Sequence, residues 1–99
     1  MKLELTGDLT VHHVDTLRTQ LEHCSYTTHV KIELDALDID DAIAVTELLN
    51  LIRETLPKVA SLTLFRAPQT LAHDLYRAHL LRPDIPLELV EPREELPYG

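Results

Sequence analysis

Between Glu33 and Asp41 the chain places five carboxylates: Glu33, Asp35, Asp38, Asp40 and Asp41. Oxygen ligands at that density suit a hard cation such as calcium or magnesium. Their spacing is not that of the helix–loop–helix calcium loop, and no glycine among them supplies its sharp turn. A solvated acidic rim facing a basic partner is the stronger reading, and no metal is expected. The six histidines come next. His12 and His13 are adjacent and point about 100° apart on a helix. His73 and His79 also fall on different faces, and His23 adjoins the only cysteine, Cys24. No zinc-like spacing results. These side chains are expected on the surface, where they can change charge between about pH 5 and 8. Nucleophilic catalysis lacks its motifs. There is no Gly-x-Ser-x-Gly turn and no glycine-rich phosphate loop; the chain has two glycines in all. Cys24 is expected on the buried side of a helix, as an inert core thiol. No catalytic residue and no cofactor is expected, and the chain is read as a non-enzyme.

The elements that position these residues show in the apolar pattern. Leu3 and Leu5 alternate with Lys2, Glu4 and Thr6, which reads as a half-buried strand over 2–6. Gly7-Asp8 is a turn, and Leu9-Thr10-Val11 reads as a second short strand. Val14, Leu17, Leu21 and Cys24 recur at helical spacing, which predicts a helix over 12–24 with Thr10 as its N-cap. Val30, Ile32 and Leu34 form a strand, and 36–41 an acidic loop. Ala42 to Leu56 is a strongly apolar helix stopped by Pro57. A strand over 59–65 follows. A helix then opens at Pro68, carries Leu71, Leu75, Ala78 and Leu80, and is broken by Arg82-Pro83-Asp84. Leu87, Leu89 and Val90 make a last strand. The order β-(β)-α-β-α-β-α-β favours an α/β domain with a mostly parallel sheet of four to five strands and about three helices. One domain spans 1–90, and 91–99 is an acidic, proline-containing tail.

Composition narrows the function. The formal net charge is −8, so phosphate backbones are repelled and nucleic-acid binding is not expected. A basic patch on a partner is attracted. A single cysteine forms no internal disulfide and suits a reducing compartment. No stretch approaches the ~20 apolar residues of a membrane span, and no signal-like segment opens the chain. A cytoplasmic protein without direct membrane insertion is expected.

One segment, from Val30-Lys31-Ile32-Glu33-Leu34 through Asp38-Ile39-Asp40-Asp41-Ala42-Ile43-Ala44-Val45, resembles the STAS domain, the fold of bacterial anti-sigma factor antagonists. In that family an apolar strand and a short loop lead to Asp-Ser-(Ser/Thr)-Gly-Leu at the start of a helix. Aligned without gaps, Asp41 stands on the motif's Asp, Ala44 on its Gly and Val45 on its Leu. Leu5-Thr6-Gly7-Asp8-Leu9 is similar to the family's turn between its first two strands, and Leu62-Thr63-Leu64 followed by Leu71, Leu75 and Leu80 to its later strand and helix. The resemblance covers nearly the whole chain to residue 90. The departures are specific. The phosphoacceptor serine is Ala42 and the next hydroxyl position is Ile43, so Ala42 is a degenerate phosphosite. Thr46, one turn on, is badly placed for phosphate. The family's last helix has no counterpart in the proline-rich tail. In the alternative register Asp40 is the motif Asp and Asp41 takes the serine position.

The resemblance implies a protein–protein interaction module. Its surface would comprise the turn Gly7, Asp8 and Leu9, the loop acids Asp38, Asp40 and Asp41, and the helix start Ala42, Ile43, Ala44 and Val45 with Glu47. Two partner classes follow from it: an anti-sigma kinase, or the ATPase of a phospholipid-trafficking ABC transporter whose small subunit is a STAS domain. A small-molecule or lipid carrier needs a concave pocket that no motif announces. A homodimer through the apolar helix is a further alternative.

Overall fold

A computed structural model describes residues 1–91. Along the chain it forms β1 (Lys2–Glu4), β2 (Gly7–Asp8), α1 (Val11–Leu21), β3 (His29–Glu33), β4 (Leu37–Asp38), α2 (Ala42–Thr55), β5 (Ser61–Phe65), α3 (Gln69–Arg77) and β6 (Leu87–Val90). The expected α/β class and strand–helix order are present. The main sheet has the order β1-β3-β5-β6, with every neighbouring pair parallel. Each crossover moves one strand further in the same direction. Right-handed connections therefore place all three helices on one face. The burial pattern agrees: Val30, Ile32, Leu62, Leu64 and Leu87 are in the core, while Lys2, Lys31 and Glu88 are exposed on the other face. A parallel sheet covered on both sides carries continuous apolar runs. Among the described residues helices cover only one face, and the strands accordingly alternate in sequence.

A second, two-stranded sheet was not expected. β2 pairs parallel with β4, Gly7 opposite Leu37 and Asp8 opposite Asp38. The second strand is thus Gly7–Asp8 rather than 9–11, and the 36–41 segment is in part a strand. Gly7 adopts φ 78, a left-handed conformation suited to glycine, and its amide donates to the Ala36 carbonyl at 3.0 Å. The Leu9 amide continues the ladder to the Asp38 carbonyl at 2.8 Å.

Thr10 caps α1, as the sequence predicts. Its hydroxyl accepts the His13 amide, and His13 Nδ1 accepts the Thr10 amide, each at 3.3 Å. Histidine here fills the place a glutamate holds in the usual capping box. The helix ends at Leu21, earlier than expected. Hydroxyls of the following turn offer the backbone other partners: Thr28 Oγ1 accepts the Ser25 amide at 3.0 Å. Cys24 therefore lies past the helix, half-buried, with its Sγ 3.5 Å from Met1 Sδ. It is not a thiol on the helix's core face.

The last helix also ends early. The Leu80 amide donates to the Leu75 carbonyl and the His79 amide to the Tyr76 carbonyl, both at 3.0 Å. This is a Schellman cap, with His79 in the left-handed position at φ 60. Leu80 is buried, as expected, but it reaches the core from beyond the cap rather than from the helix. Pro68 is the residue before the first helical one. The tail expected from residue 91 lies, apart from Glu91, outside the described residues.

A side chain with a Cβ is strained in the left-handed region by roughly 1–2 kcal/mol. His79→Gly relieves that strain and adds some unfolded-state freedom. It is expected to stabilise the domain by about 0.5–1 kcal/mol, read as a higher urea midpoint at unchanged slope.

Candidate functional site

The site is organised by one cap. Asp41 leads into the helix with extended backbone, and its Oδ1 accepts the amides of Ile43 at 2.9 Å and Ala44 at 3.3 Å. Those N–H groups would otherwise lack a partner at the start of α2. The helical period then divides the following residues. Ala44, Val45, Leu48, Leu51 and Ile52 turn into the core. Ala42, Ile43 and Thr46 turn outward. Ile43 is 69% exposed, an unusual position for so large an aliphatic side chain. The Thr46 hydroxyl donates to the Ala42 carbonyl at 3.0 Å, the back-bond typical of a mid-helix threonine.

The small β2–β4 sheet brings Gly7 and Asp8 beside Asp38, so two of the three segments expected at the surface are neighbours. Leu9 and Leu37 pin this sheet to the core at 2% and 0% exposure. Beside it, an open groove of about 350 Å³ runs between α2 and α3. Ile39, Val45 and Leu49 give it an apolar floor, and Asp40, Asp41 and Asp74 an acidic rim. A neighbouring hollow is edged by Asp8, Asp38, Asp40 and Pro68.

The placement corrects several expectations. Leu9 and Ala44 (0% exposed) are core residues, so they support the surface without forming it. Val45 is nearly buried and offers only its edge to the groove, and Glu47 is half-buried. The acidic cluster is also divided. Glu33 points away from it, across the bare sheet face, and pairs with Arg66 at 3.1 Å. Arg66 also meets Glu91 at 3.3 Å. Its hydrogen bond and charge contact with Glu33 raise the guanidinium's pKa above the usual arginine value. Among the described residues, Asp8, Asp38, Asp40 and Asp74 make no ion pair. No three His, Cys, Asp or Glu side chains among them form a metal-holding group. The histidines are dispersed: His13 in the α1 cap, His29 on Ser61 Oγ at 2.7 Å, and His12, His23, His73 and His79 exposed.

The wall contributed by α3 was not anticipated. Thr70 and Asp74 are four residues apart, so they share a helix face. That spacing was a readable signal, but which face meets α2 is a property of packing. No helix among the described residues is long and apolar enough to cross a membrane.

A family model for the STAS domain matches residues 1–93. No curated protein and no solved structure gave a match.

The cap itself is directly measurable. Asp41→Ala is expected to destabilise the fold by about 1 kcal/mol and Asp41→Asn by much less, because asparagine caps comparably well. Urea unfolding of the three proteins checks it; equal losses for Ala and Asn would show that the charge matters and the cap bonds do not.

Proposed function

The chain belongs to the STAS domain family, and on that premise we propose that it is a non-catalytic interaction module, an anti-sigma factor antagonist-like regulator that works without the family's phosphoacceptor serine. The observation that carries this reading is the first turn of α2. Asp41, not Asp40, is the helix cap, which supports the alignment placing Asp41 on the motif aspartate. The serine position is then Ala42 and the next is Ile43, and neither has a hydroxyl. Next to the position where the family's switch would add phosphate, this chain presents the exposed aliphatic side chain of Ile43. Full burial of such a side chain contributes about 1.5–3 kcal/mol, enough to make Ile43 an anchor for a partner.

The charges around it favour a basic counterpart. Asp40 and Asp74 edge the groove beside α2 and Asp8 and Asp38 the neighbouring hollow, and among the described residues none of the four is ion-paired, so a partner's lysines or arginines find them available. Such charges act chiefly on encounter rate and on choice of partner. Binding on this surface is constitutive, or is governed by something other than phosphate on α2. A kinase of the anti-sigma type is the partner this reading expects.

Two measurements test it. Binding to a purified anti-sigma kinase is expected to weaken at least about tenfold on Ile43→Arg, with the circular dichroism spectrum and urea midpoint unchanged, since the side chain is already in solvent. Unchanged binding would remove this surface from consideration. Incubation with kinase and ATP is expected to leave the intact mass unaltered; addition of a phosphoryl group would refute the absence of an acceptor.

A further inference from the structure

The groove between α2 and α3 is longer than one side chain. Its α2 wall is Ala42, Val45, Thr46 and Leu49, which recur at i, i+3, i+4 and i+7. That stripe follows α2 for about 10 Å, two helical turns. Thr70 and Asp74 form the α3 wall one turn apart, and Ile39 completes the apolar floor. Carboxylates stand at two places: Asp40 and Asp41 where α2 begins, and Asp74 on α3. No lysine or arginine lines the groove among the described residues, and neither Asp40 nor Asp74 is ion-paired among them. Ile43 does not line it.

We infer that this groove holds a short basic amphipathic helix of a partner protein, with apolar side chains on the floor and lysines or arginines against Asp40 and Asp74. The inference rests on the reading of the chain as an interaction module and names the element that the partner brings. Shape selects a helix. Both walls are α-helices, whose backbone groups pair along the helix, so an extended peptide finds no strand edge along them to join. Recognition is then through side chains, and a helix laid lengthwise offers an apolar stripe of the same two-turn length. Charge selects its composition. The acidic rim disfavours phosphates and acidic peptides and attracts cations flanking the apolar stripe. The chain itself carries no such helix among its described residues. α1, α2 and α3 have no lysine and one arginine each, Arg18, Arg53 and Arg77. Residues 92–99 hold two glutamates, one arginine and two prolines. A second copy and the chain's own end lack the required charge, so the helix belongs to another protein.

The probe is a synthetic peptide of about 14 residues, four helical turns, with leucines on one stripe and lysines elsewhere. A leucine–glutamate peptide of the same pattern is the control. Each is titrated into the full chain to about 1 mM, the range of so small a contact, and followed by backbone amide NMR shifts. The lysine peptide is expected to bind, less tightly at high salt, with shifts clustered on residues 39–49 and 70–74, and the glutamate peptide is expected not to. Asp74→Lys and Thr46→Arg are each expected to weaken binding about tenfold. Thr46 is exposed and its hydroxyl bonds only back to Ala42, so the urea midpoint of Thr46→Arg is expected to hold. Glu22→Lys makes the same change of net charge at the exposed end of α1 and is expected to have little effect. A lysine peptide that does not bind overturns the inference. So does equal weakening by Glu22→Lys, which would show attraction to net charge alone. Binding indifferent to both groove substitutions and lost on Ile43→Arg also overturns it, moving the contact to the outer side of α2 while the interaction-module reading stands. Peptide docking in the groove with no measurable binding of the kinase upholds the groove and removes the kinase as partner.

Discussion

Helix α2 lies against one side of the parallel sheet and beside α1, held by Ala44, Val45, Leu48, Leu51 and Ile52. The rest of the structure depends on that contact. With one apolar stripe committed to the core, the angular position of every other α2 residue is settled. Ile43 must point out and Thr46 must lie on the groove. The single buried polar side chain of this helix obeys the same constraint: the Thr55 hydroxyl donates to the Leu51 carbonyl at 2.7 Å, which removes the cost of burying it. No buried side-chain nitrogen or oxygen among the described residues lacks a partner. The core is therefore apolar and satisfied, and unpaired charge is confined to the surface.

That division explains why the site tolerates so much acid. Unpaired carboxylates close together repel, but in solvent the cost is small and screened. The start of α2 also offsets part of it, because the helix dipole favours negative charge there. Asp41 gains further by accepting two amide bonds. Positive charge, by contrast, is held elsewhere. Arg66 bridges Glu33 and Glu91 on the bare sheet face, and Arg18 bridges Asp15 and Glu54 at the α1–α2 seam. Among the described residues the acidic rim beside α2 has no ion pair, whereas Glu33 and Glu91 on the opposite sheet face are matched by Arg66.

Much of the fold was readable because its signals are local or periodic. The period of α2, the alternation in β3 and β5, the Thr10 cap and the Pro57 stop each rest on a few adjacent residues. The errors have a common physical origin. Cys24 continues the apolar period of α1, but the backbone bonds of the Ser25–Thr28 turn compete with another helical turn. Leu80 likewise continues the period of α3, yet the helix reverses at His79, a residue type that gives only a weak signal for a left-handed cap. The β2–β4 pairing joins two-residue strands far apart in the chain, and no propensity scale sees a strand that short.

The sequence by itself determined the α/β class, the order of elements, the helix-capping role of Thr10, and the lack of a hydroxyl at positions 42 and 43. These depend on residue type and near neighbours alone. Only the tertiary structure decided which of the nominated residues can meet a partner. Ala44 is next to Ile43 in sequence but lies inside, because the packing of α2 against the sheet chooses one helical face to bury, and Leu9, just past β2, is likewise held in the core. The same packing brings Thr70 and Asp74 of α3 to the groove and turns Glu33 away from the acidic cluster. Proximity across elements is set by crossovers and register, and those become visible only when the sheet is assembled.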